Sequence, residues 1–249
     1  MHSTTRNSLI TLASVVFLLV IWKLIAVVIG ADIIMPAPET TIRDFANIVK
    51  SPGFWPSVGA TVLRGLAGFF ISCILGLGVG IAAGLSSVVY WMVQPFLTII
   101  RSTPVMAIIL LALIWFNTEL VPVFVSCLMG FPIVCGNIIQ GIKNVDIQLV
   151  QMAHIYQVKP WRIVLELYLP SLLPFFMGGA STAMGIIWKV IIAAEILSQP
   201  VLGIGTQMQT AKTYLETARV LSWTIAIIGV SFFFESLMHA LDNKFRAWR

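Results

Sequence analysis

Six ionisable side chains fall inside long apolar runs: Lys23, Arg64, Arg101, Lys189, Glu195 and Glu235. Charges in such runs are costly in lipid and turn toward protein or water. Two chemistries are open to them. One is an ion pair or interface anchor within a bundle; the other is a charge lining a solute pathway, where a Lys or Arg suits an anion electrostatically. Arg101, Lys189 and Glu195 are the pathway candidates. Lys189 and Glu195 are six residues apart, about 600° of helical rotation, so they do not share a face. Lys23 faces a neighbouring helix or snorkels, and Arg64 lies within reach of the interface. His2, His154 and His239 are scattered, and Cys73, Cys127 and Cys135 sit in apolar runs as small hydrophobes. Neither metal-ligand spacing nor a disulfide framework is present. No Gly-x-x-x-x-Gly-Lys-Ser/Thr occurs, so the chain lacks a phosphate cradle and cannot itself hydrolyse ATP. No catalytic triad is visible, and no metal or cofactor is expected in this chain.

The elements that must position these groups follow from composition. Of 249 residues, 59% are hydrophobic and 10% charged, against about 25% charged in soluble domains. The mean hydropathy is +0.97. A soluble enzyme and a disordered chain are excluded, and a bilayer is the expected solvent. The net charge of +5 fits Lys and Arg flanking membrane spans rather than nucleic-acid binding. A span needs about 20 apolar residues. Six are expected, over about 9–30, 58–85, 88–116, 120–142, 171–197 and 220–241, giving one all-α polytopic domain over 1–249. The first exceeds a signal-peptide core in length and is read as retained.

With a cytoplasmic N-terminus, the inner side carries Arg6, Lys143, Lys159, Arg162, Lys244, Arg246 and Arg249, and the outer side Arg43, Lys50, Lys212 and Arg219. Seven against four places both termini in the cytoplasm. Outside, 39–49 reads as a short helix on the membrane surface. The 198–219 segment, broken by Pro200, Gly203 and Gly205, reads as a partly re-entrant loop packed on protein. Arg101 precedes a Ser-Thr-Pro break, which predicts a kink.

The longest cytoplasmic loop is the most informative. Asn144 and Asp146 can cap a helix beginning near Ile147. Gln148, Gln151 and His154 step by three as a polar stripe, while Leu149, Met152, Ala153 and Tyr156 make an apolar face. Pro160 ends this helix near Val158 and suits the first turn of the next, which presents Ile163, Val164 and Leu167. The resulting protrusion over 144–169 exposes more apolar surface than a solvated loop needs. It reads either as a partner site or as a hairpin packed on its own bundle.

This loop resembles the coupling segment of permease subunits of binding-protein-dependent ABC importers. That motif runs Glu-Ala-Ala, three residues, Gly, nine residues, Ile-x-Leu-Pro. Here it is Gln151-Met152-Ala153, His154-Ile155-Tyr156, Gln157, nine residues, Leu167-Tyr168-Leu169-Pro170. The spacing matches throughout, while Gln157 stands where the family has Gly. Ala193-Ala194-Glu195 followed by Gly203-Ile204-Gly205 is similar to the Ala-Ala-Glu…Gly-Leu-Gly stretch of nitrate-, sulfonate- and taurine-type permeases. Met35-Pro36-Ala37-Pro38, Arg101-Ser102-Thr103-Pro104 and Ile114-Trp115-Phe116 resemble further pieces in the same order.

The resemblance implies a type I ABC importer permease fold in the cell membrane and a pathway for a small polar, possibly anionic, solute. It implies a second permease subunit, an identical copy, and an extracytoplasmic solute-binding protein. An ABC ATPase dimer, which binds the ATP and Mg, would dock on the 144–169 helices. Gln151, Met152, Ala153, His154, Tyr156, Gln157, Pro160, Leu169 and Pro170 would be the coupling residues. An ATPase-independent secondary transporter or channel is the alternative. It would need midplane carboxylates, for which only Glu195 and Glu235 qualify, and no internal repeat is apparent.

Overall fold

A computed structural model describes residues 2–246, all of whose regular elements are helical. In chain order these are α1 (His2–Ile29), α2 (Pro38–Val49), α3 (Phe54–Leu85), α4 (Ser87–Ser102), α5 (Val105–Trp115) and α6 (Val121–Lys143). There follow α7 (Ile147–Ile155), α8 (Pro160–Ile163), a π-helical turn (Val164–Tyr168), α9 (Leu169–Ser198), α10 (Ile204–Thr213) and α11 (Thr217–Arg246).

Among the described residues, Phe54–Leu85, Val121–Lys143, Trp161–Ser198 and Thr217–Asp242 are each long and apolar enough to cross a bilayer. The apolar part of α1, Ala13–Ile29, is shorter. The expected span over 88–116 is not one crossing helix. It is broken into α4 and α5, which meet at 103°. Pro104 has no N–H to donate, and it forces Thr103 into extended backbone, with φ −76° and ψ 129°. The Thr103 hydroxyl caps the Ile99 carbonyl at 2.7 Å. The Ser-Thr-Pro break thus turns the chain rather than kinking it. The 198–219 segment carries the regular helix α10, started after Gly203, with Ile204, Gly205 and Ala211 buried against protein.

Helices α3, α6 and α9 form the centre, with Val134, Ile138, Ile187, Trp188 and Ile191 in its core. Lipid is as apolar as these side chains, so close backbone approach and van der Waals contact must hold the helices together. At α3 glycine makes that approach possible. A Cβ on Gly76 would stand 2.7 Å from Val134 Cβ and 3.1 Å from the Cys135 nitrogen. We expect Gly76→Val to overpack this seam and cost about 1–3 kcal/mol. A lowered melting temperature of the detergent-purified chain would show it; an unchanged one would mean the seam can open.

The remaining helices dress this centre. α5 packs Ile108, Ile109 and Ala112 against α6 and α9. On the side opposite the α7–α8 hairpin, Ile48, Phe54, Ile204 and Trp223 join α2, α3, α10 and α11. Phe54 stacks on Trp223 with centroids 5.2 Å apart. α1 stands apart. Trp22 donates to the Pro36 carbonyl, Lys23 snorkels to an ion pair with Glu39 on α2, and Phe17, Leu18 and Val28 are exposed. Glu39 is held below the usual carboxylate range by its hydrogen bond from Lys23, then by its own N-terminal backbone.

Candidate functional site

Two regions carry the candidate residues. The first is the hairpin between α6 and α9. Asp146 Oδ1 accepts from the Gln148 N–H at 2.8 Å and so starts α7 where the sequence predicts. Asn144 does not share this capping. Its side chain turns back to the Gln140 carbonyl at 2.9 Å, closing α6. Lys143 anchors the base of the hairpin, its Nζ 3.6 Å from the centre of the Tyr90 ring on α4.

α7 ends in a left-handed residue, Gln157, with φ +54°. The Val158 N–H then reaches back to the Ala153 carbonyl at 2.9 Å, a Schellman closure. This is the position where the resemblance calls for Gly. The backbone keeps the glycine conformation although the side chain has changed, at the strain a non-glycine pays there. We expect Gln157→Gly to stabilise the hairpin by about 0.5–1 kcal/mol. Slower amide exchange at Tyr156 and Val158 would report it; faster exchange would show that the lost chain entropy outweighs the relieved strain.

Leu149, Met152, Tyr156, Val158, Ile163 and Leu167 line an open groove between α7, α8 and the π turn. Gln151, Met152, Tyr156, Gln157 and Leu169 are exposed and Ala153 half-buried, and Leu169 and Pro170 open α9. The side chains of His154 and Pro160 lie outside the described residues. Ile155 and Tyr156 are 78% and 76% exposed. Of the two readings, a hairpin buried against its own bundle does not hold for this face.

The second region gathers around Glu195. Its side chain is fully buried. Thr61 Oγ1 donates to it at 2.9 Å, Arg64 Nη1 at 2.8 Å and the Gly205 N–H at 2.9 Å. Arg64 also donates to the Leu202 carbonyl at 2.7 Å and pairs with Glu119. Glu119 in turn accepts the Val201 N–H at 2.9 Å. Burial works against the Glu119 charge, but Arg64 and the Val201 N–H outweigh it and hold its carboxyl below the usual range. The network ties α3, α9, the α5–α6 connection and the 199–203 turn together. Glycine is needed on both sides of Ile204 because a Cβ on Gly203 or Gly205 would come within 2.7 Å or 2.6 Å of the Glu195 side chain.

The three expected pathway residues are therefore not one cluster. Glu195, expected at the pathway, is enclosed and engaged by Arg64, Thr61 and Gly205. Arg64, which the sequence places as an interface anchor, is its counter-ion, and no local pattern marks Thr61 or Glu119 as members of the network. Arg101, at the end of α4, lays its side chain against α6, donating to the Pro132 carbonyl beside Gly136. Lys189 projects from the exposed face of α9.

The chain has relatives among transport permeases. The putative aliphatic sulfonates transport permease protein SsuC of Bacillus subtilis (strain 168) is 26% identical, covering 93% of this chain and 84% of its own. The taurine transport system permease protein TauC of Escherichia coli (strain K12) is 25% identical over 98% and 91%. A chain of the inward-facing MetNI methionine ABC transporter shares the fold, with a TM-score of 0.63 at 14% identity, over 79% of this chain and 99% of that one. The family profile described as binding-protein-dependent transport system inner membrane component matches residues 74–247, and the chain belongs to that family.

Proposed function

We propose that the chain is the pathway-forming permease of an ATP-driven importer, working as a pair of identical subunits with both termini in the cytoplasm. As a member of its family it is a membrane component of a transport system rather than an enzyme. ATP and Mg bind to two separate ATPase subunits that dock on the α7–α8 hairpin. An extracytoplasmic solute-binding protein delivers the solute. The observation that carries this reading is the exposed apolar groove of the hairpin, in register with the coupling motif at Gln151 to Pro170. The groove needs shape and apolar contact, not reactive groups, because it transmits movement of the ATPases into α6 and α9.

The solute we favour is a small anion. The relatives named for sulfonates and taurine handle compounds bearing a sulfonate group, and Lys189 and Arg101 supply cations beside the centre of the bundle. Glu195 serves as the staple of the outer end and not as a solute ligand.

Met152 is 50% exposed in the groove. Met152→Asp should weaken ATPase association by about 1–3 kcal/mol while the chain still inserts. Copurification with the partner ATPase is the measurement, and undiminished copurification would sink the docking assignment. Orientation is checked in a chain lacking Cys73, Cys127 and Cys135. A single cysteine at Asn47 should react with an impermeant thiol reagent in intact cells, and one at Asn144 should not. The reverse pattern would overturn the mechanism.

A further inference from the structure

Helices α9 and α11 run antiparallel. Trp188 stacks on Phe234 with centroids 5.0 Å apart, and Met238, one turn further along α11, is buried in the central core. Between these two fixed points of α11 stands Glu235, half-buried deep in an apolar helix. Its Oε1 lies 2.9 Å from where a Cβ on Gly185 would be, so the glycine leaves the space the carboxylate occupies. Among the described residues Glu235 has neither a hydrogen-bond nor an ion-pair partner. A partnerless carboxylate at this depth is a functional-site candidate by physical default.

The complementary charge is one turn away. Lys189 follows Gly185 by four residues on α9, a rise of about 6 Å and nearly the same face. A helical side chain leans toward the N-terminus of its own helix. Lys189 on α9 therefore leans toward Gly185, and Glu235 on the antiparallel α11 leans toward the level of Lys189. The four-carbon stem of Lys189 spans one turn. Among the described residues, the other ionisable group near Glu235 on α11 is His239, one turn along on the side away from Lys189. Arg64, the remaining cation at this end of α9, is committed to Glu195 and Glu119.

We propose that Glu235 is a positioning residue for Lys189: the two are unpaired in this structure, and in another state of the transport cycle the Lys189 ammonium rests on the Glu235 carboxylate, from which an anionic solute draws it. This rests on the reading of Lys189 as a pathway cation. An arrangement of this kind keeps a bare cation from sitting in the membrane between transport cycles. It also makes entry selective, because a neutral solute has nothing to exchange for the carboxylate.

The test measures the potential at position 189 in the assembled complex, reconstituted in liposomes and lacking the three native cysteines. Lys189→Cys is reacted with two methanethiosulfonate probes of similar size, one bearing ethylammonium and one ethylsulfonate. With Glu235 present the cationic probe should react faster. Adding Glu235→Gln should shift the ratio at least fivefold toward the sulfonate, and Glu235→Asp should not. A ratio unmoved by Glu235→Gln would overturn the pairing. Failure of both probes to react would instead overturn the reading of Lys189 as facing an aqueous pathway. A second measurement does not depend on access: Lys189→Glu and Glu235→Lys should each lower the melting temperature of the complex, and the exchanged double variant should recover it. A double variant no more stable than the worse single one also overturns the pairing.

Discussion

Arg64→Met should leave little folded chain in the membrane. Arg64 is 11% exposed, its partner Glu195 is not exposed at all, and the pair is 2.8 Å apart. The substitution leaves the Glu195 carboxylate with Thr61 and the Gly205 N–H but without a counter-charge. Removing one partner of a buried pair costs about 3–5 kcal/mol, because the remaining charge is stranded. Here Glu119 and the Leu202 carbonyl lose the same guanidinium, so the 199–203 turn loosens as well. The measurement is the yield and melting temperature of purified protein. The double variant Arg64→Met with Glu195→Gln carries no buried charge and should recover most of the loss. A double variant as poor as the single one would show that Arg64 acts through its packing instead.

Gly205→Val should be nearly as damaging for a different reason. A Cβ there would lie 2.6 Å from Glu195 Cβ, 2.7 Å from the Ile192 carbonyl oxygen and 3.0 Å from the Ile196 nitrogen. Two of these atoms belong to the backbone of α9, which cannot swing aside like a side-chain tip. The added side chain must push α10 away, and the Gly205 N–H then loses its bond to Glu195. Overpacking and the stranded carboxylate together amount to about 3 kcal/mol or more. Loss of protease resistance between α9 and α11 would report it, and wild-type resistance would mean that α10 is not clamped in the folded chain. Gly178, with open space around the same position, is the matched control; Gly178→Ala should be silent.

Much of this was legible in the sequence, and the rest had physical reasons to stay hidden. Such patterns are local, so α2 could be read from its amphipathic face, and the first residue of α7 and the break before Pro104 from capping and proline chemistry. The 103° turn between α4 and α5 could not, because a break leaves the new direction to packing. The coupling motif was visible as spacing, yet the left-handed Gln157 shows backbone geometry outlasting the residue that usually demands it. Helical rotation alone separated Lys189 from Glu195, and the structure indeed exposes one and encloses the other. What enclosed Glu195 lay beyond any local pattern. Its cation is 131 residues earlier in the chain, and no periodicity reports a pairing at that range.

That separation has a consequence for how the protein is made. Arg64 enters the membrane with α3, long before α9 exists. At a synthesis rate of roughly 5–20 residues per second, the ribosome needs about 7 to 26 s to add the 131 residues that bring Glu195. During that interval α3 carries an arginine without its buried carboxylate, and only Glu119 can arrive sooner. A cation with only part of its counter-charge favours protein or water over free lipid, so α3 should stay beside protein until α9 emerges. A chain truncated before Glu195 should therefore be held less firmly in the membrane than the full chain, because its buried cation lacks the carboxylate that α9 brings.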